Sequence, residues 1–509
     1  MFRRVFILAI LGLLIVPLSA ATLTVTASFE ASRPFAPQDD EDPRSYTVIK
    51  VKTAITVSGE ELENATIVIK DGKILAVGEN VDYPFGAKVI DASDLVVMPG
   101  MINPVSRLTT LPGGGGATPQ LDKSEDLTLT GKQLAELAST GYTTLGLLSP
   151  GAPMPGRTLI IRTAGEKPAD LVINGKGPVH ISFNSPGSSK SAVMRAFASA
   201  KKEIEKIEKA KAAAAKKVKA PAKKTGAKTP AKDPKKDPKP GPKPTPTPGP
   251  KPKPTPKPKP TPKPKDGAES SNEAVGALAD PPKKNATKSA SKGPKIKPSL
   301  EPLVDLLQKA KGASAIVEFG NNRENVRRAA PSPASSYLHW QDITKEYEFN
   351  HSYRIYNPVV AENNPFFVTS ETNIAQVAKE IGELKALVAL YPNVNHHAFT
   401  RDKYNLGLTF LRQGARPVFV PENDRWDTYA SMRDGLARMV RSGYPRSEIL
   451  KTVTLHPAQM LGLGDEVGTI EVGRNATLIF LTGDPLSNTT QVEKVMIDGK
   501  FIDMKKRLR

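Results

Sequence analysis

The chain of 509 residues contains no cysteine. That excludes disulfides, thiolate zinc sites and a thiol nucleophile, so stability must come from a buried core, which a chain of this length can supply. Histidine is scarce as well. There are six: His180, His339, His351, His396, His397 and His456. Imidazole-based metal chemistry therefore starts from a small stock of ligands. No Gly-x-Ser-x-Gly elbow and no phosphate-binding loop occurs, which removes the commonest serine-hydrolase and nucleotide-binding readings. Beyond the first residues no run is long and apolar enough to span a bilayer.

The apolar run that does exist is short. Arg3 and Arg4 precede Val5 to Val16, about 12 residues and too few for a comfortable span, and Ser19-Ala20-Ala21 follows. This pattern predicts a cleaved leader over 1–21 and an exported protein, periplasmic or at the cell envelope or outside. The net charge of +20 is local: residues 211–265 hold 18 Lys against two Asp, a balance of +16, and the leader adds +2. A protein-wide nucleic-acid surface is not indicated. From 220 to 265 the chain repeats Pro and Lys, as in Lys251-Pro252-Lys253-Pro254, and cannot bury a core. It is expected to be an extended polyproline-II spacer with a contour on the order of 140 Å. The partner this predicts is an anionic envelope polymer or lipid surface, met through 211–265. Without interleaved aromatics, sequence-specific nucleic-acid reading is not expected.

The remainder divides by period. A polar arm (22–45) leads to β-rich segments at both ends. Ala65–Lys70 and Lys73–Gly78 flank Asp71-Gly72, and Val492–Ile497 and Lys500–Asp503 flank Asp498-Gly499, two strong hairpin signals. Lys88–Asp91 and Leu95–Met98 predict two further strands. Neither end can bury a core alone, so 46–99 and 460–509 are expected to meet in one small β-domain. The middle alternates helix and strand in two parts, 100–199 and 300–459, around a charged insert at 200–299. Strands are expected at 142–148, 157–162, 179–183, 315–319, 386–390 and 416–420. Helices are expected at 132–139, 300–310, 374–384, 427–442 and 446–452. Residues 100–455 less the insert number 256, close to the about 250 of a (β/α)8 barrel. Residues 189–219 carry an apolar stripe, Val193, Phe197, Ala200, Ile204 and Ile207, which predicts a helix lying on the barrel. Gly113–Gly116 predicts a flexible loop at the barrel mouth.

Two segments carry a family resemblance. Asn64–Gly78, Gly86–Ala92 and Met98-Pro99-Gly100 at the front, and Thr452–Ala458, Leu461–Leu463, Val467–Leu478, Gly483–Leu486 and Val495–Lys500 at the back, resemble the amidohydrolase superfamily, nearest in flavour to imidazolonepropionase-like and dihydroorotase-like hydrolases. The resemblance implies a (β/α)8 TIM barrel of α/β class with a composite β-sandwich formed by both termini. It also implies metal-dependent hydrolysis of non-peptide C–N bonds. The ligands would be a His-x-His pair on the first barrel strand, often a carboxylated Lys, two later His and a final Asp that also shuttles protons. Here the first-strand frame Pro99-Gly100 is kept, but Val105 and Arg107 occupy the two histidine positions and Asn103 that of the preceding Asp. Valine has no lone pair to offer and arginine is a fixed cation, so no metal site is predicted there. The final carboxylate falls at Glu422 or Asp424. His396-His397 is the one His pair, and adjacent strand residues point to opposite faces. His456, in place of the family's Asn, and His180, within a strand, are expected to be structural.

Three functions stay open at this point. The chain acts by binding, as a degenerate and non-catalytic or altered member. Or it is an active exported cyclic-amide hydrolase with a relocated mononuclear zinc site, for which His396, His397, Glu422 and Asp424 are the catalytic candidates. Or it is an envelope scaffold that works through its Lys/Pro arm. Pairing with an intact amidohydrolase relative is a further partner expectation.

Overall fold

The computed structural model describes residues 42–108, 111, 114–121, 124–165, 167–183, 188–218, 296–319, 343–355, 377–396 and 403–503. The expected leader, the N-terminal arm to 41, the Lys/Pro spacer, His339 and His397 lie outside the described residues.

The two ends of the chain meet in a single sheet. Its strand order is Lys500–Phe501, Val492–Ile497, Leu478–Leu481, Lys88–Pro99, Tyr46–Ile55, Thr66–Lys70 and Lys73–Gly78, with Glu61–Glu63 paired onto Tyr46–Ile55. Both Asp-Gly turns take the left-handed backbone their sequence demands: φ is 50° and 79° at Asp71-Gly72, and 48° and 76° at Asp498-Gly499. The strand Lys88–Pro99 joins the halves. It runs parallel to Tyr46–Ile55 and antiparallel to Leu478–Leu481. Two short strands were expected here. The register shift between Val51 and Thr53 lets Ser93–Leu95 bulge, so the polar Ser93-Asp94 pair bends the strand without ending it. Ile49, Ile67, Ile69, Val97, Leu478, Phe480 and Met496 share its dry interior.

The strand Met101–Ser106 opens the barrel after Gly100 and pairs parallel with Tyr142–Leu147. A third to seventh strand follow in one parallel run: Val179–Ser182, Ala315–Phe319, His351–Ile355, Leu387–Leu390 and Arg416–Phe419. Between the second and third, Leu159–Arg162 folds back antiparallel onto the second strand, and Gly156–Arg157 onto the third. Val105, Ile316, Ala389, Val418 and Val420 belong to one buried cluster. A second cluster, with Leu145, Val317, Tyr353 and Phe419, packs against the surrounding helices. Helix Ser188–Val218 buries Val193, Phe197 and Ala200, and Phe197 stacks on Tyr347 and Phe349 at 5.3 and 5.0 Å. By compactness, Glu208–Lys295 forms a unit of its own.

Three local expectations are revised. The fifth strand, His351–Ile355, was not expected. Its alternate residues Ser352 and Arg354 are polar yet buried, which hides the apolar period of a barrel strand. Gly114–Ala117 is a short strand paired with Gly151–Met154 and not a free loop, because a neighbouring strand satisfies its backbone. Helix 427–442 is two helices, Trp426–Ala430 and Met432–Arg441, that meet at Ser431.

Gly100, in the Pro-Gly signature, sits where no side chain fits. A Cβ there would lie 2.1 Å from Thr143 Oγ1 and 2.8 Å from Thr143 Cβ, so turning the threonine does not relieve the clash. Gly100→Ala is expected to destabilise the protein by about 1–3 kcal/mol, read from the midpoint of guanidinium unfolding.

Candidate functional site

Four strands at the barrel's C-terminal mouth each send a charged or polar side chain to one point. The first strand ends at Ser106 and delivers Arg107. The third carries His180, the fourth Glu318 and the fifth Arg354. Glu318 is fully buried. A single guanidinium nitrogen, Nη2 of Arg107, bridges both its oxygens at 2.7 and 2.8 Å. His180 Nε2 lies 3.0 Å from Oε2, and Arg354 Nε lies 3.8 Å from Oε1. Arg354 also donates to the Val105 carbonyl, which ties the fifth strand back to the first. The other ring nitrogen of His180 faces the Ser149 carbonyl at 3.1 Å. An oxygen thus stands at each ring nitrogen.

Burial works to raise the Glu318 carboxyl, but Arg107, His180 and Arg354 outweigh it and hold the group well below the ordinary carboxylate range. Beside this cluster the Tyr391 hydroxyl is pushed up by burial, against the pull of Arg354.

A second group closes the wall between the last and first strands. Among the described residues no ladder joins Arg416–Phe419 to Met101–Ser106. Asp424 bridges them instead. Its carboxylate accepts from Ser106 Oγ at 2.7 Å, from the Arg107 backbone N–H at 2.7 Å and from the Tyr429 hydroxyl at 2.6 Å. Asn103 Nδ2 donates to the Tyr429 oxygen at 2.8 Å, while its Oδ1 accepts from the Val105 N–H. Burial, then the charge of Asp424, raises the Tyr429 hydroxyl well above its usual range, so it stays protonated as a donor.

Of the residues singled out in sequence, Arg107 and Asp424 come together here, and Val105 is buried at the same strand end. Glu422 is half-buried and lies near enough to Tyr391 to raise it electrostatically. His396 ends the short strand Val394–His396, paired with Lys403–Asn405. His456 is buried with Nδ1 2.9 Å from the Pro417 carbonyl. Sequence reasoning missed Glu318, Arg354, Ser106 and Tyr429, and treated His180 as plain packing. A usable signal was the charged or polar residue inside otherwise apolar strands: Glu318 in Ala-Ile-Val-Glu-Phe and Arg354 in His-Ser-Tyr-Arg-Ile.

The donor set does not suit a divalent metal. The fully buried Glu318 carboxylate already has two guanidinium groups beside it, and a divalent cation would face both positive charges. Asp424 has each oxygen occupied by protein donors. Among the described residues no group of three or more His, Asp or Glu side chains converges closely enough to hold an ion.

The pattern of the amidohydrolase family matches residues 423–502. D-hydantoinase of Geobacillus stearothermophilus is 40% identical over 68 residues, 13% of this chain and 14% of that protein. Imidazolonepropionase of Caldanaerobacter subterraneus subsp. tengcongensis is 47% identical over 45 residues, 9% of this chain and 11% of that protein. These matches span about a tenth to a seventh of the relatives' length. The crystal structure of an amidohydrolase from Thermotoga maritima MSB8 superposes with a TM-score of 0.57 at 16% identity, over 90% of this chain and 99% of that one, a likeness of fold. An α/β barrel of this type, with a β-domain composed from both termini, is the fold of that amidohydrolase, and the amidohydrolase-family pattern itself is matched over residues 423–502.

Proposed function

We propose that this chain is an exported member of the superfamily that acts by binding at its barrel mouth and not by metal-assisted hydrolysis of C–N bonds. The observation that carries the reading is the pair of guanidinium groups, Arg107 and Arg354, beside the buried Glu318 carboxylate where the family's ligands converge. Supporting it, the Asp424 carboxylate is engaged by three protein donors, with both of its oxygens accepting, and so is committed to holding the strand ends together. Export rests on the leader-like pattern at the N-terminus. The family's substrate classes, cyclic amides and acyl-amino acids, are where activity should be sought.

The test is elemental analysis of the purified full chain, combined with hydrolysis assays on those two classes, before and after chelation. The expected result is less than about one tenth of an equivalent of any transition metal and no turnover above buffer. Stoichiometric zinc together with turnover abolished by chelator would overturn the proposal.

A further inference from the structure

We propose that the Arg107 guanidinium does the structural work of the missing metal, cross-linking the ends of the barrel strands through Glu318. The inference rests on the reading that no metal binds there.

In a metal site of this barrel type, one cation gathers ligands from several strand ends and fixes their spacing. Here one anion gathers two guanidinium groups and an imidazole from several strand ends. Glu318 on the fourth strand receives Arg107 from the first at 2.7 and 2.8 Å, His180 from the third at 3.0 Å and Arg354 from the fifth at 3.8 Å. Through the other ring nitrogen, His180 also reaches the Ser149 carbonyl, beyond the second strand. Arg354 closes the circuit on the Val105 carbonyl. Charge signs are inverted relative to a metal site, but the connectivity has the same form: a single central charge with radial partners, each on a different strand.

Position also matters. Arg107 stands where the resemblance places the second histidine of the His-x-His pair, so the cation comes from a site that once would have contributed a ligand. The bonds are longer than a zinc–oxygen bond of about 2.0–2.2 Å. The guanidinium is the larger object, however, and fills the space with its own atoms. Without Arg107 the buried carboxylate would keep only His180 and the more distant Arg354 guanidinium, so Arg107 and Glu318 are expected to act as a unit. That unit explains how the barrel mouth keeps its frame with Val105 and Arg107 in place of histidines.

A double-mutant cycle on the full chain tests this. Arg107→Met removes the cation at similar length, and Glu318→Gln removes the anion at the same shape. Thermal unfolding is followed for the wild type, both single variants and the double variant, each with and without EDTA. Each single change is expected to lower Tm by several degrees, and the double variant to lose clearly less than the sum of the two losses. EDTA is expected to shift none of them. Additive losses would overturn the cross-link while leaving the absence of metal intact. An EDTA-sensitive wild-type Tm restored by zinc would overturn the reading beneath it. A variant too unstable to purify is replaced by Arg354→Met, whose partner atom is more distant and whose loss should be smaller but still coupled to Glu318→Gln.

Discussion

Glu318→Ala is expected to cost this protein about 3–5 kcal/mol, measured as the change in unfolding free energy in guanidinium chloride at pH 7. The carboxylate is fully buried, and the Arg107 and Arg354 guanidinium groups and the His180 ring lie within 4 Å of its oxygens. Its removal leaves two guanidinium groups facing each other across a cavity, with Arg354 itself only 7% exposed. The sign of the pH dependence follows from the depressed folded value. The unfolded carboxyl protonates near the ordinary 4.5, while the folded one stays charged well below it. Glu318's contribution is therefore complete above about pH 5 and is lost as the pH falls through the folded value. At pH 3 about 2 kcal/mol of it should already be gone, since each pH unit below 4.5 is worth about 1.4 kcal/mol. The wild-type and variant curves are expected to converge as the pH drops from 6 to 3. A gap of constant size would show that Glu318 acts through its shape and not through its charge.

The two kinds of information in the chain differ in how openly the sequence displays them. The composite β-domain was legible because turn chemistry is local: Asp71-Gly72 and Asp498-Gly499 need positive φ at both positions, and only a few residue types supply it. The barrel rhythm was legible for the same reason that Val317, Leu387 and Val418 are apolar, namely that a strand buried on both faces shows a continuous hydrophobic run. The fifth strand was not, because Ser352 and Arg354 occupy the inward face where apolar residues were sought. The site itself could be read only negatively. Val105 and Arg107 said what the first strand could not do. What replaced it depends on Arg107 meeting Glu318 across 211 positions of sequence, and on Ser106 meeting Asp424 across 318. No periodicity reports such a pair. A lone charged residue within an apolar strand does mark one member of it, since burying an unpaired charge is prohibitive.

Asp424 and Glu422, the two carboxylates that follow the seventh strand, should separate clearly on substitution. Asp424→Ala is expected to destabilise the protein by about 3 kcal/mol or more, because it strips the acceptor from two fully buried hydroxyls, Ser106 and Tyr429, and from the Arg107 amide. Each buried donor left unsatisfied costs about 1–3 kcal/mol, partly relieved where water can enter. Asp424→Asn should cost less. It keeps one carbonyl acceptor, and both hydroxyls can turn to accept from its amide. Glu422→Ala, on the half-buried neighbour, should cost less than either. The effect should also be local. The end of the seventh strand and the first strand are joined here by Asp424, without a ladder among the described residues, while further down the Ile102 N–H donates to the Val453 carbonyl, beyond the helical turn Leu450–Thr452, at 2.8 Å. Loss of Asp424 should therefore let the first strand end open. Amide exchange at Arg107 should quicken much more than at Val317 in the middle of the wall. Equal and small costs for Asp424→Ala and Glu422→Ala, with exchange at Arg107 unchanged, would show that Asp424 is not the clasp. The proposal that this barrel binds without metal-assisted hydrolysis would then lose one of its supports.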